Sequence, residues 1–115
     1  MTENCPFCKI IAGDLPADVV YRDEQVIAIR DRQPAAPTHL LVMPVHHVAS
    51  LHEVDGDDSG WLGHLLVVAR RLAEEQNLYP GGYRVVINTG ENANQTVFHL
   101  HAHVLGGKPL SKLTR

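Results

Sequence analysis

The stretch VFHLHAHVL, residues 97–105, alternates imidazoles with apolar side chains. A period of two is a strand signature, because successive side chains on a pleated backbone point to opposite faces. His99, His101 and His103 then share one face, and Leu100, Ala102 and Val104 take the other. The apolar set suits a buried sheet face. The other set forms a row of imidazoles about 6.8 Å apart, from a rise of roughly 3.4 Å per residue.

The remaining sequence supplies a framework for that strand. Phe7–Gly13 reads as a short helix stopped by Gly13, which tolerates the left-handed conformation of a helix end. DVVYRD and QVIAIRD are two β-branched runs around a charged turn and predict a hairpin. QPAAPT is extended, and His39–Val45 is a third strand, apolar enough to be covered on both faces. Residues 55–78 form the one long helix. Asp57, Asp58 and Ser59 supply its N-cap, and Leu62, Leu65, Leu66, Ala69, Leu72 and Ala73 its apolar face. YPGG stops it, and YRVVINT and VFHLHAHVL follow as fourth and fifth strands around the polar loop GENANQT. No strand–helix–strand unit repeats. The expected class is α+β on a mainly antiparallel sheet.

At 115 residues the chain is expected to be one domain, 1–115, with an N-terminal helical segment (1–13) and a C-terminal tail (106–115). A net charge of −3 with no Lys/Arg block gives no reason to expect a nucleic-acid polymer as partner. No apolar run reaches membrane-spanning length, and residues 1–15 lack the features of a signal peptide, so the expected location is the cytoplasm.

Three imidazoles in a row suit phosphate chemistry. Neutral imidazole is a nucleophile toward phosphorus, protonated imidazole a charged donor to phosphate oxygens, and both forms exist near neutral pH. One metal shared by all three is opposed by geometry, since the outer two lie about 13–14 Å apart while Zn–N bonds need about 2.0–2.1 Å. The loop before the row carries Asn88, Asn94, Gln95 and Thr96 as donors, and its backbone N–H groups can line an anion-binding concavity.

The only cysteines, Cys5 and Cys8, have the spacing of a metal or redox pair. A thioredoxin-like reading would need a preceding strand, which is absent from the sequence pattern. Two reduced, uncoordinated thiols are the plain alternative. Partners for a metal would be His46 or His47, which spacing does not separate, and His99. His52 and His64 read as surface and packing residues.

QTVFHLHAHVLGG resembles the H-φ-H-φ-H-φ-φ signature (φ, apolar) of the histidine triad superfamily, and most closely its Hint-type nucleotide-binding branch. FCKIIAGDLPADVVYRDE, APTHLLVMPVHHV, LGHLLVVARRLAEE and GYRVVINTGE are similar to further family segments in the same order, from about Phe7 to Gly107. The resemblance implies a homodimer whose two five-stranded sheets join into ten strands, with the long helix and Tyr83–Asn88 near the contact. It implies hydrolysis of purine nucleoside 5′-phosphoramidates, including adenylylated lysine, through a covalent nucleotidyl-histidine. A dinucleoside polyphosphate hydrolase and a non-catalytic nucleotide-binding scaffold are the alternatives. His101 matches the family nucleophile and His103 its phosphate contact. His99 and His39 match supporting histidines, and Asn88, Gln95 and Thr96 fall on phosphate- and leaving-group positions.

The nucleoside pocket is expected from Phe7, Leu15, Ile29, Arg30, Asp31 and Arg32, with Asp31 taking the ribose diol. Arg30 and Arg32 stand where eukaryotic relatives carry smaller or uncharged residues. Bacterial relatives further imply a structural Zn2+ held by Cys5, Cys8, His47 and His99; a metal-bound His99 is not free to relay protons.

Overall fold

The chain runs through α1 (Pro6–Ala12), β1 (Val19–Arg22), β2 (Val26–Arg30), β3 (Thr38–Pro44), α2 (Ser59–Glu75), β4 (Tyr83–Ile87) and β5 (Ala102–Gly106). This computed structural model describes residues 4–112, so the ends of the expected N-terminal segment and tail, 1–3 and 113–115, lie outside the described residues. The strands form one sheet in the order β1-β2-β3-β5-β4, antiparallel throughout, as the α+β expectation requires.

The sheet is covered on both sides, and residue parity decides which side. Even-numbered Val26, Ala28, Leu40, Val42, Ala102 and Val104 pack with Leu65, Val68, Ala69, Leu72 and Ala73 of α2. Odd-numbered Ile27, Ile29, Leu41 and Met43 pack with Cys5 and Phe7 of the α1 segment. The continuous apolar run of β3 follows from this, since it is buried from both directions. Its cross-strand register sets Leu41 between Ile29 and His103, so the odd-numbered face carries the polar row.

Local chemistry fixes the connections. Cys5 caps α1 by accepting the Cys8 N–H at 3.3 Å, Pro6 opens the helix, and Gly13 ends it at φ 88°. The hairpin turns on Asp23, whose Oδ1 accepts the N–H groups of Gln25 and Val26 at 2.8 Å each. Its Oδ2 accepts Tyr21 Oη–H at 2.5 Å and His64 Nε2–H at 2.6 Å, which ties the turn to α2.

Three expectations are corrected. Ordered pairing of β5 starts at Ala102, not Val97, because Val42–Ala102 is the last β3–β5 pair and Pro44, the end of β3, has no N–H to donate. The backbone upstream bonds elsewhere: Leu100 N–H reaches Val48 O at 2.7 Å. The two faces nevertheless persist, with Leu100 in the α2-side core and His99 against Phe7. On α2, Val68 replaces Leu66 in the core, and Leu66 is 46 % exposed. Asp58 occupies the N-cap without capping, because its carboxylate accepts Trp61 Nε1–H and Asp55 N–H instead.

Candidate active site and metal centre

The odd-numbered face opens into a cleft of about 480 Å3. Phe7, Leu15, Ile29, Arg30, Asp31, Arg32, Thr96, His101 and His103, all singled out in the sequence, are brought together in its lining. Gln33, Leu41 and Val97 line it as well and were not anticipated. Leu41 becomes legible only from register, as the neighbour of both Ile29 and His103. Gln33 had a local signal: its N–H closes an Asx turn on Asp31 Oδ1 at 2.8 Å.

Hydrogen bonds assign the proton on each histidine. The Nδ1 of His101 lies 2.7 Å from the carbonyl oxygen of His99. A carbonyl only accepts, so Nδ1 carries the proton and Nε2 keeps its lone pair. Burial also pushes the His101 pKa below the ordinary imidazole range. His101 is therefore a neutral imidazole with one bare nitrogen. Phe7 stands edge-on to its ring at 5.0 Å between centroids.

His39 and His103 form a second unit. His39 Nδ1 accepts the Ala35 N–H at 3.0 Å, so the neutral ring carries its proton on Nε2. That N–H points at His103 Nδ1, 2.9 Å away, with Asp31 Oδ2 at 3.4 Å from the same nitrogen. His103 in turn is left with its proton on Nε2. Although Asp31, His39 and His103 place donor atoms within 4.8 Å of one another, the proton on His39 Nε2 makes this a hydrogen-bonded relay rather than a metal site. The His101 and His103 rings are 5.0 Å apart, closer than the ideal row, where the chain enters β5.

Burial pushes His103 down to about 4. An unfolded histidine takes its proton near pH 6.5. The folded state then binds fewer protons than the unfolded state between these values, so stability is full above about pH 6.5 and declines as pH falls toward 4. Urea midpoints measured from pH 7 to pH 4.5 should fall, and His103→Gln should flatten that dependence. An equal slope in the variant would contradict the assignment.

His99 faces the opposite way along the same groove. Its Nε2 donates to Pro44 O at 2.8 Å, which leaves the Nδ1 lone pair 3.5 Å from both Cys5 Sγ and Cys8 Sγ. His47 Nδ1 is 3.3 Å from Cys8 Sγ, and the four donor atoms lie within 4.8 Å of one another. A tetrahedral ion with metal–S of about 2.3 Å and metal–N of about 2.0–2.1 Å separates its donors by roughly 3.3–3.8 Å. The set fits. A metal-ligating histidine that donates its other N–H to a carbonyl is also the usual outer-shell arrangement. Without a cation, burial and the neighbouring Cys5 push the Cys8 thiol up to about 11. His46 is excluded, since its ring packs on Trp61 at 4.8 Å on the α2 side.

The loop is used differently from expectation. The N–H of Gly90 goes to Gln95 Oε1, those of Ala93 and Gln95 to Gly90 O, and that of Asn94 to Glu91 O. These amides close a 3-10 turn at Glu91–Ala93, so they do not form the anticipated anion concavity. Buried Gln95 also donates to Ala49 O at 2.8 Å and Val97 O at 3.1 Å, so its amide braces the loop. Asn88 is half-buried, and Asn94 is exposed at φ 66°. Neither lines the cleft. Gln95→Ala orphans buried backbone groups and should cost about 1–3 kcal/mol, read as a lower urea midpoint at unchanged slope. An unchanged midpoint would deny Gln95 the bracing role.

Comparison with known proteins agrees with this geometry. The family described as "Scavenger mRNA decapping enzyme C-term binding" matches residues 4–113. A protein of Escherichia coli (strain K12) named purine nucleoside phosphoramidase is 39% identical over 113 residues, covering 98% of this chain and 95% of its own. A crystal structure of a HIT family hydrolase from Legionella pneumophila superposes with a TM-score of 0.92 at 44% identity, over 94% of this chain and 96% of that one. A zinc-bound histidine triad family protein from Mycobacterium smegmatis gives 0.82 at 34% identity, over 99% and 82% of the two chains. With His101 and His103 lining the cleft, His99 behind them, and its fold shared along almost the whole length, the chain belongs to the histidine triad (HIT) family of hydrolases.

Proposed function

We propose that the protein hydrolyses the P–N bond of purine nucleoside 5′-phosphoramidates through a nucleotidyl-His101 intermediate. The observation that carries this reading is the 2.7 Å bond from His101 Nδ1–H to the His99 carbonyl, which bares Nε2 toward the cleft. Mere binding of a nucleotide needs no such nitrogen.

In the first displacement His101 Nε2 attacks the α-phosphorus in line, the P–N bond breaks, and the amine leaves with a proton drawn from solvent and relayed through Thr96, which lines the cleft, or through a histidine. The phosphorylated ring carries a positive charge, which the His99 carbonyl dipole stabilises through Nδ1–H. His103 Nε2–H is the donor for a non-bridging oxygen, held in that form by His39. Water then attacks the phosphorus, the P–Nε2 bond breaks, and the nucleoside monophosphate leaves. Asp31 keeps free lone pairs for the ribose diol, and Phe7, Leu15 and Ile29 offer apolar walls for a purine. The relative named purine nucleoside phosphoramidase supports this bond specificity.

The same reading assigns zinc to Cys5, Cys8, His47 and His99, supported by the S2N2 donor set and by the zinc-bound relative. It also includes a homodimer joined through the free edge of β4 into a ten-stranded sheet, for which the exposed Leu66 and Val67 of α2 supply apolar surface. No helix among the described residues is long and apolar enough to cross a membrane, and the free thiols suit a reducing, cytoplasmic compartment.

Competing substrates test the bond specificity. With adenosine 5′-phosphoramidate and diadenosine tetraphosphate in one reaction, kcat/KM should favour the phosphoramidate by on the order of 100-fold or more. Equal or faster cleavage of the polyphosphate would reverse the assignment.

A further inference from the structure

His99 takes part in both centres at once. Its ring Nδ1 faces the two cysteine sulfurs at 3.5 Å, its ring Nε2 is anchored to Pro44 O at 2.8 Å, and its backbone carbonyl receives the Nδ1–H of His101 at 2.7 Å. The residue is completely buried, so its ring and peptide cannot reorient independently. Phe7, which sits between the two cysteines on α1, stands edge-on to both rings, 5.9 Å from His99 and 5.0 Å from His101. No β-ladder bond holds the backbone at residues 98–101, because β5 begins only at Ala102. The peptide that carries the His99 carbonyl is therefore held outside the sheet, by the Leu100 N–H bond to Val48 O at 2.7 Å and by the side-chain contacts of His99.

We propose that His99 is a positioning residue that couples the four-donor metal site to the nucleophile, so that bound metal and bound nucleotide phosphate strengthen each other's binding. The inference rests on the metal reading above. A metal on His99 Nδ1 fixes the ring and so, together with the Leu100 N–H bond to Val48 O, narrows the direction of the carbonyl that holds His101. In the other direction, a protonated phosphate oxygen that donates its O–H to His101 Nε2 polarises the ring and strengthens its Nδ1–H bond to that carbonyl. The coupling is an equilibrium quantity and is equal when read from either ligand.

The test uses the full chain, Zn2+ and AMP. Zinc affinity is measured by equilibrium competition with a chromogenic chelator, without nucleotide, with saturating AMP, and with saturating adenosine. AMP should tighten zinc binding at least about fivefold, the lower end of measured couplings between sites. Adenosine, which lacks the phosphate, should leave zinc affinity unchanged, as should AMP on His101→Ala. Such a pattern cannot arise from general stabilisation of the fold, which either ligand would produce in either protein. Zinc and AMP that both bind with no mutual effect would overturn the coupling alone. An equal effect of AMP on His101→Ala, or of adenosine on the parent, would also overturn it. Absence of zinc binding would overturn the metal reading and the coupling together.

Discussion

Replacing His101 with alanine is expected to lower turnover of a nucleoside phosphoramidate by roughly 10,000-fold or more, the scale on which loss of a covalent nucleophile acts. The expectation follows from where the ring's two nitrogens point. Nδ1–H is committed to the His99 carbonyl, and no other imidazole offers a bare nitrogen to the cleft. His103 presents an N–H there, because His39 fills the environment of its Nδ1. The lone pair of His99 lies on the far side among the cysteines. Nucleotide affinity should change much less, since Asp31, His103 and the apolar walls remain. Single-turnover rates and AMP affinity of the variant, measured together with its urea midpoint, separate chemistry from folding. Turnover within tenfold of the parent would remove His101 from the nucleophilic role.

Chelation of zinc from the proposed four-donor site should be the largest perturbation of stability. At free zinc of about 100–1,000 times Kd, binding to the native state adds roughly 3–4 kcal/mol. In a domain of this size that corresponds to a fall in Tm of more than about 10 °C on chelation. The α1 segment shows why. The helix is seven residues long and buries only Phe7, too little apolar contact to hold a helix of that length without further attachment. A buried and a half-buried sulfur beside two imidazoles are poorly stabilised without a cation, as the raised Cys8 thiol indicates. Calorimetry with and without chelator checks the prediction, and Cys8→Ser should reproduce the chelated value. An unchanged Tm in both would deny the metal its structural role.

Much of this architecture was legible from residue order. Gly13 ends α1 where its φ of 88° demands glycine, the Asp23 turn joins β1 to β2, and β3 is covered on both faces. The triad's division into an apolar and a polar face survived even where the strand did not. What escaped was set by contacts remote in sequence. The start of β5 depends on the opposing Pro44, which only the register reveals. Leu66 and Val68 are both apolar and two positions apart, and the choice between them is made by which one meets the sheet residues of the α2-side core. His46 and His47 are adjacent and chemically identical; one meets Trp61 on α2 and the other meets Cys8. The loop's composition promised an anion cradle, but the buried Gln95 amide draws its backbone inward.

Covalent capture is the most direct measurement of the central claim. With enzyme in excess over adenosine 5′-phosphoramidate, quenched samples digested and mapped by mass spectrometry should show one adenylyl group on the peptide at His101. It should appear within the first turnover and decay as AMP forms. Complete consumption of substrate with no adduct, or an adduct on another residue, would contradict the account.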